Sequence, residues 1–195
     1  MIRKTGILTL AALFAVLASA YGQKAAVKTN LLYGATATPN LGVEIGLGKR
    51  TSLDISGGYN PWNLDGGRND NRKIVHWLVQ PEFRYWTCSR LSGHFFGLHA
   101  IAGQFNIGGM ELPMLLGKGS KDFRHEGWTA GTGITYGYHW VLAPRWSLEF
   151  AVGAGYMRMQ YDVYDCPHCG YFKERKKRDY FGPTKAAINL IFIIK

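Results

Sequence analysis

The chain lacks what a helical membrane protein needs. After residue 20 there is no run of 18 apolar residues, so no segment is long enough to cross a bilayer as a helix. Cysteine is scarce, at three in 195 residues. None follows the apolar run near the N-terminus, which argues against a lipoprotein anchor. Cys166 and Cys169 form one CxxC and no second one exists, so the paired CxxC of a zinc ribbon is missing. Acidic residues are few: 13, against 23 basic ones, for a net charge of +10. Lipase-type G-x-S-x-G and any His-x-Ser spacing are also absent. No low-complexity linker and no solenoid-type repeat divides the sequence, so it reads as one domain.

What is there begins with an export signal. Arg3 and Lys4 precede an apolar run at 7–18, and Ala18-Ser19-Ala20 fits a cleavage site. Residues 1–20 are therefore read as a signal peptide and 21–195 as the folded domain. Removing Arg3 and Lys4 leaves 10 − 2 = +8. A basic balance can mean nucleic acid. Export argues against that partner and favours anionic lipid head groups or acidic glycans.

Glycine makes up 25 of 195 residues and is scattered through apolar stretches, which a helical protein would not tolerate. The mature sequence instead repeats with period two, the signature of strands. Leu41, Val43, Ile45 and Leu47 alternate with Gly42, Glu44, Gly46 and Gly48. Leu53, Ile55, Gly57 and Tyr59 alternate with Ser52, Asp54, Ser56 and Gly58. Trp77, Val79, Pro81, Phe83 and Tyr85 face away from Leu78, Gln80, Glu82 and Arg84. The clearest runs follow Trp128 to Trp140 and Trp146 to Tyr156, where the opposite face is mostly Gly, Ala, Ser and Thr. Weaker runs at 27–37, 94–105 and 183–194 complete eight strands of about 9–13 residues, the length of a tilted membrane strand.

Connections are short at 48–51, 88–93 and 141–145, and mostly long between them, at 60–73, 106–126 and 158–181. Only the first, around Thr38-Pro39-Asn40, breaks the pattern. The expected fold is all-β: an eight-stranded antiparallel transmembrane β-barrel of a bacterial outer membrane, with short periplasmic turns and mostly long extracellular loops. A soluble barrel would put its apolar face inward and a charged face outward. Here the large residues share one face, and aromatics gather at its two ends. Tyr85, Trp86, Tyr138, Trp140, Trp146 and Phe192 mark the short-turn end. Tyr59, Trp62, Trp128 and Tyr156 mark the other. Such belts suit the two membrane interfaces. Alternation turns Glu44, Asp54, Glu82, Arg84, Glu149 and Lys185 into the lumen. They are read as a charge network that plugs it, with a polar conduit as the rival reading.

Several segments resemble a known family. They are Val27-Lys28-Thr29-Asn30-Leu31-Leu32-Tyr33, Asn40-Leu41-Gly42-Val43-Glu44, Leu53-Asp54-Ile55, Asn60-Pro61-Trp62 and the closing Tyr180-Phe181-Gly182-Pro183-Thr184-Lys185-Ala186-Ala187-Ile188-Asn189-Leu190. Together they resemble a domain-of-unknown-function family of small outer-membrane barrels in Bacteroidota. In layout the chain is similar to OmpA- and OmpX-type barrels. The resemblance implies the barrel and its location, and no activity. It also implies a neighbourhood of surface-fimbria components, hence an assembly or anchoring role.

Candidate chemistry is sparse. Cys166-Pro167-His168-Cys169 resembles the motif of thioredoxin-fold oxidoreductases, but that chemistry needs a helix N-terminus after a strand. Here the motif falls in the longest expected loop. A local disulfide between Cys166 and Cys169 is the structural reading. Zinc on Cys166, His168 and Cys169 would need a fourth ligand such as His125. Cys88 stays unpaired. Lys173, Arg175, Lys176, Lys177 and Arg178 form a basic stretch in the same loop, read either as a solvated loop or as a contact for lipopolysaccharide phosphates or an acidic partner. Ser120 and Asp122 near His125 are the best group for a lipid A-modifying enzyme, and they make no constellation. The expectation is a non-enzymatic surface-binding, anchoring or structural barrel without cofactor or metal. An enzyme and a narrow pore are the alternatives.

Overall fold

The computed structural model describes residues 25–62, 72–113, 115–117, 119–165 and 170–194. Eight strands follow one another: β1 (Ala25–Asn30), β2 (Asn40–Gly46), β3 (Thr51–Asn60), β4 (Lys73–Trp86), β5 (Gly93–Gly108), β6 (Phe123–Val141), β7 (Trp146–Asp165) and β8 (Tyr171–Ile193). Each pairs antiparallel with the next, and β1 pairs with the last five residues of β8, 189–193, so the sheet closes into a barrel. No described helix is long and apolar enough to cross a membrane.

Alternation decides what faces where. On β6, Gly133, Thr135, Gly137 and His139 are buried inside, while Ile134, Tyr136 and Trp140 are exposed outside. The small inward residues give larger neighbours room. A Cβ on Gly137 would lie 2.3 Å from the Phe95 ring and 2.7 Å from the Phe150 carbonyl oxygen. One on Gly133 would lie 2.5 Å from the Ala154 carbonyl oxygen and 2.8 Å from the His99 ring. Glycine therefore lets eight strands enclose Phe95, His99 and the charged groups described below.

The outward face is apolar at mid-height. Ile134 is 70% exposed, Val152 63% and Leu98 61%. Tyr85, Trp140 and Trp146 ring it at the short-turn end, and Tyr59, Trp77, Trp128 and Tyr156 at the other. Trp86 is not in this ring. It has the parity of Arg84, and alternation turns it inward, where it is fully buried, packs on Phe95 and donates to Ser52 Oγ at 2.8 Å.

Three expected segments change. The run at 27–37 is not one strand: β1 ends at Asn30 and a 3-10 turn follows over Leu31–Thr36. Asn30 caps that turn by accepting from the Leu32 amide, and Ala37 closes it with a left-handed φ of 49°. The stretch at 158–181 is not a long loop. β7 runs on to Asp165 and β8 starts at Tyr171, still in register from Met157↔Tyr180 to Asp165↔Tyr171, with one shift near Val163. Residues 173–178 are therefore strand. Similarly, β5 reaches Gly108 and β6 begins at Phe123, shortening the loop between them to 109–122. The barrel is lopsided: β1 to β3 stop early, and β5 to β8 rise into a tall wall.

Candidate functional site

The lumen has two storeys. The lower one is a buried ion network. Arg84 on β4 is fully enclosed and donates to four carboxylates. Nε bonds Glu82 Oε1 at 2.7 Å, and Nη1 bonds Glu44 Oε2 at 2.9 Å and Glu149 Oε2 at 2.8 Å. Nη2 bonds Asp54 Oδ2 at 3.3 Å and Glu149 Oε1 at 3.2 Å. Lys28 Nζ lies 2.5 Å from Glu44, 3.3 Å from Asp54 and 3.6 Å from Glu149. Lys185 Nζ donates to Glu82 Oε2 at 2.6 Å. Hydroxyls and amides take up remaining acceptors: Ser52 on Glu44, Thr135 on Glu82, Asn189 on Glu149. The guanidinium also stacks over Phe95, 4.4 Å from its ring centre.

The structure thus brings Glu44, Asp54, Glu82, Arg84, Glu149 and Lys185 together across the lumen. Buried charges are tolerable only when paired like this. Sequence reasoning missed Lys28. The signal was available, because the six assigned residues hold four acids and two bases, and Lys28 sits opposite the small Gly42 on the inward parity of β1. It also missed His99, which bridges Thr135 and Thr184 at 2.8 and 2.9 Å, and His139, whose Nδ1 is 3.7 Å from Glu149.

The upper storey is apolar. Above Tyr156, β7 keeps alternating but with the opposite polarity. Met157, Met159, Tyr161 and Val163 point inward and are buried, while Arg158, Gln160 and Asp162 point outward. Phe105 and Phe123 pack against the inward set, and Leu116 joins them from the 109–122 loop. Met157, Met159, Phe105 and Leu116, with Ile101, Ile107, Leu112 and Leu115, line a cavity of about 360 Å³. A second, polar cavity of about 380 Å³ adjoins it and reaches down to Lys28, Asp54 and Lys185. Leu78, Pro183 and Thr184 line both.

The basic stretch lies on the arm formed by the far ends of β7 and β8. Pairing puts Lys176 and Arg178 on the inner face, opposite Tyr161 and Met159. Arg175 and Lys177 take the outer face, while Lys173 falls at the register shift and reaches Asp165 and the inward Phe123 ring. Much of the charge is matched locally: Arg175 makes a two-pronged contact with Asp162 at 2.6 and 3.0 Å, Lys173 pairs with Asp165 at 3.1 Å, and Lys176 with Glu174 at 2.8 Å. The patch is therefore less strongly positive than its sequence suggests. The arm's tip instead exposes Tyr171 and Phe172.

The remaining candidates separate. Ser120 Oγ donates to the Met110 carbonyl and accepts from the Leu112 amide, so its hydroxyl serves the loop. His125 points into the upper lumen against Tyr161, where burial and the nearby Lys176 charge push its imidazole below the usual range. Cys88 is a free, exposed thiol in a short turn. Cys166, His168 and Cys169, with the disulfide and zinc readings they carried, lie outside the described residues, as does the signal peptide.

A family model described as protein of unknown function (DUF3575) matches residues 8–194. No curated protein and no solved structure matches the chain.

Proposed function

We propose that this chain, which belongs to that family, is a non-conducting bacterial outer-membrane barrel that works as a binding module at the cell surface. One observation carries the reading: the barrel is inside out relative to a soluble one. Its ions are at the centre and its large apolar residues are outside. A soluble monomer seldom exposes an apolar patch beyond a few hundred Å². Here such residues encircle the molecule between two rings of Trp and Tyr. Trp128 and Trp140 are twelve residues apart on β6. That is about 40 Å of strand at ~3.3 Å per residue, or about 28 Å of height at a ~45° tilt. This matches a hydrocarbon core.

The short turns, with the start of β1 and the end of β8, then face the periplasm, and the tall wall faces outward. The Arg84 network closes the lumen, which favours binding over transport. The arm supplies the binding surface: an aromatic tip for a surface protein and outward-facing Arg175 and Lys177 for lipopolysaccharide phosphates. Fimbria-type partners belong to this reading.

Two measurements test it. The folded protein should migrate differently from the boiled one on a gel and sediment with outer membranes. In planar bilayers it should give no single-channel steps. Identical migration with recovery in the soluble periplasmic fraction would refute the barrel's location. Reproducible steps would refute the plug.

A further inference from the structure

We infer that the apolar cup above the plug holds a fatty-acyl chain whose anionic head group meets Lys176 and Arg178 at the rim. This deepens the membrane-barrel reading and rests on it.

On β7 the polarity of the two faces switches above Tyr156. Outside the aromatic ring, Arg158, Gln160 and Asp162 face water, so this part of the wall lies beyond the apolar belt. Its inner face has no bilayer to meet, yet carries Met157, Met159, Tyr161 and Val163. Opposite them stand Ile101, Phe105 and Ile107. With Met157 and Met159 these three line a cavity of about 360 Å³, within the range of small-molecule sites. Apolar cavities of this kind favour apolar ligands over water.

Shape narrows the class. Ile101 and Ile107, six residues apart on β5, both line the cavity. The separation is about 20 Å of strand at ~3.3 Å per residue. So small a volume spread along that length suits a flexible chain better than a fused ring system. Methionine adds a lining that can adapt to such a chain. The floor is polar, with Thr184 and the adjoining Lys185, so the chain ends there rather than passing through. Thr129 Oγ1 also lines the cavity and has no hydrogen-bond partner among the described residues.

The rim supplies the sign of the head group. Lys176, which also contacts Glu174 at 2.8 Å, and Arg178 share the inner face of the arm with Tyr161 and Met159, and Arg178 lies beside Gly117 of the loop that carries Leu116. A carboxylate or phosphate fits there. The chain's source is either a free fatty acid or a lipid of the outer leaflet, and both have the same recognised chemistry.

The test uses the full mature protein in lipid nanodiscs and two photoreactive probes: palmitic acid with a diazirine near the chain end, and a phospholipid carrying the same chain. After irradiation, adducts are mapped by mass spectrometry. The proposal expects saturable adducts on inward residues such as Met157, Met159 or Leu116, competed by unlabelled palmitate. Labelling by the free acid alone identifies a free fatty acid as the source, and labelling by both identifies any accessible acyl chain. Leu116→Asp, on the loop rather than a strand, should cut cup adducts at least fivefold and leave those on outward Ile134 and Val152 unchanged. Adducts confined to outward residues, in protein that keeps its heat-dependent gel mobility, would overturn the acyl site and leave the barrel standing. Loss of that mobility difference in the wild-type protein would overturn both.

Discussion

Arg84 on β4 grips Glu149 on β7 with two hydrogen bonds across the lumen, Nη1 to Oε2 at 2.8 Å and Nη2 to Oε1 at 3.2 Å. The two residues are 65 positions apart in sequence. The same guanidinium holds Glu44 on β2, Asp54 on β3 and Glu82 on β4. A single cation thus ties four strands together at the centre of the barrel, and its planar fork makes a lysine a poor substitute.

Arg84→Met should therefore be costly. It leaves four enclosed carboxylates facing Lys28 and Lys185 alone. Removing one partner of a buried pair typically costs about 3–5 kcal/mol. Urea unfolding in detergent micelles should show a loss of that order. Arg84→Lys should recover only part of it. A change below about 1 kcal/mol would mean that the network does not hold the barrel.

Gly137→Leu forces a side chain into Phe95 and the Phe150 carbonyl. Overpacking of this kind costs about 1–3 kcal/mol or prevents folding. Ala100→Leu, on the exposed face of the neighbouring β5, should be tolerated within about 0.5 kcal/mol. Equal effects at the two sites would contradict the inward–outward assignment.

Orientation is testable through Cys88, which is exposed in the turn between β4 and β5. In a Cys166→Ser, Cys169→Ser background, a membrane-impermeant maleimide should leave it unlabelled on intact cells. Permeabilising the outer membrane should expose it. Labelling of intact cells would place the short turns outside and reverse the account.

The arm should respond to acid late. The hydrogen bond from Arg175 holds the Asp162 carboxyl below its ordinary value of 3.8. A depressed carboxylate pKa contributes stability above the unfolded value, and that contribution is lost as pH falls through the lower, folded value. Hydrogen-exchange protection factors in the arm should hold steady down to about pH 4 and fall only below it. Asp162→Asn should remove that acid transition. Because the pair is exposed, high salt should weaken it as well.

Much of this was legible in the sequence, and the part that was not has a physical reason. Period two marked the strands wherever one face was apolar and the other small, as on β6 between Trp128 and Trp140. The signal fails where both faces of a strand meet polar surroundings. Arg175 and Lys177 alternate with Lys176 and Arg178 on β8, so nothing in polarity distinguishes that strand from a loop. Only pairing with β7 reveals it. The polar face identified six members of the ion network, because Glu82 and Arg84 have no place on an apolar exterior. Lys28 was missed because β1 spans only Ala25–Asn30, too few residues to establish a pattern. Trp86 was misassigned because an aromatic residue at a strand end looks like a belt residue whichever face it occupies. The upper cup was hidden for the same reason as the arm. Met157, Met159 and Tyr161 read as the frayed end of a strand until their neighbours on β5 and β8 are known.

The claim that the apolar belt meets lipid is tested most directly at Ile134, which is 70% exposed and lies midway between Trp128 and Trp140 on β6. Ile134→Arg, unfolded from phospholipid vesicles, should cost about 2–4 kcal/mol if that position is at the bilayer midplane. Gln160→Arg, outward but beyond the aromatic ring, should cost less than about 1 kcal/mol. A steep difference between the two is the predicted result. If Ile134→Arg is as harmless as Gln160→Arg, the belt faces water and the membrane barrel is wrong.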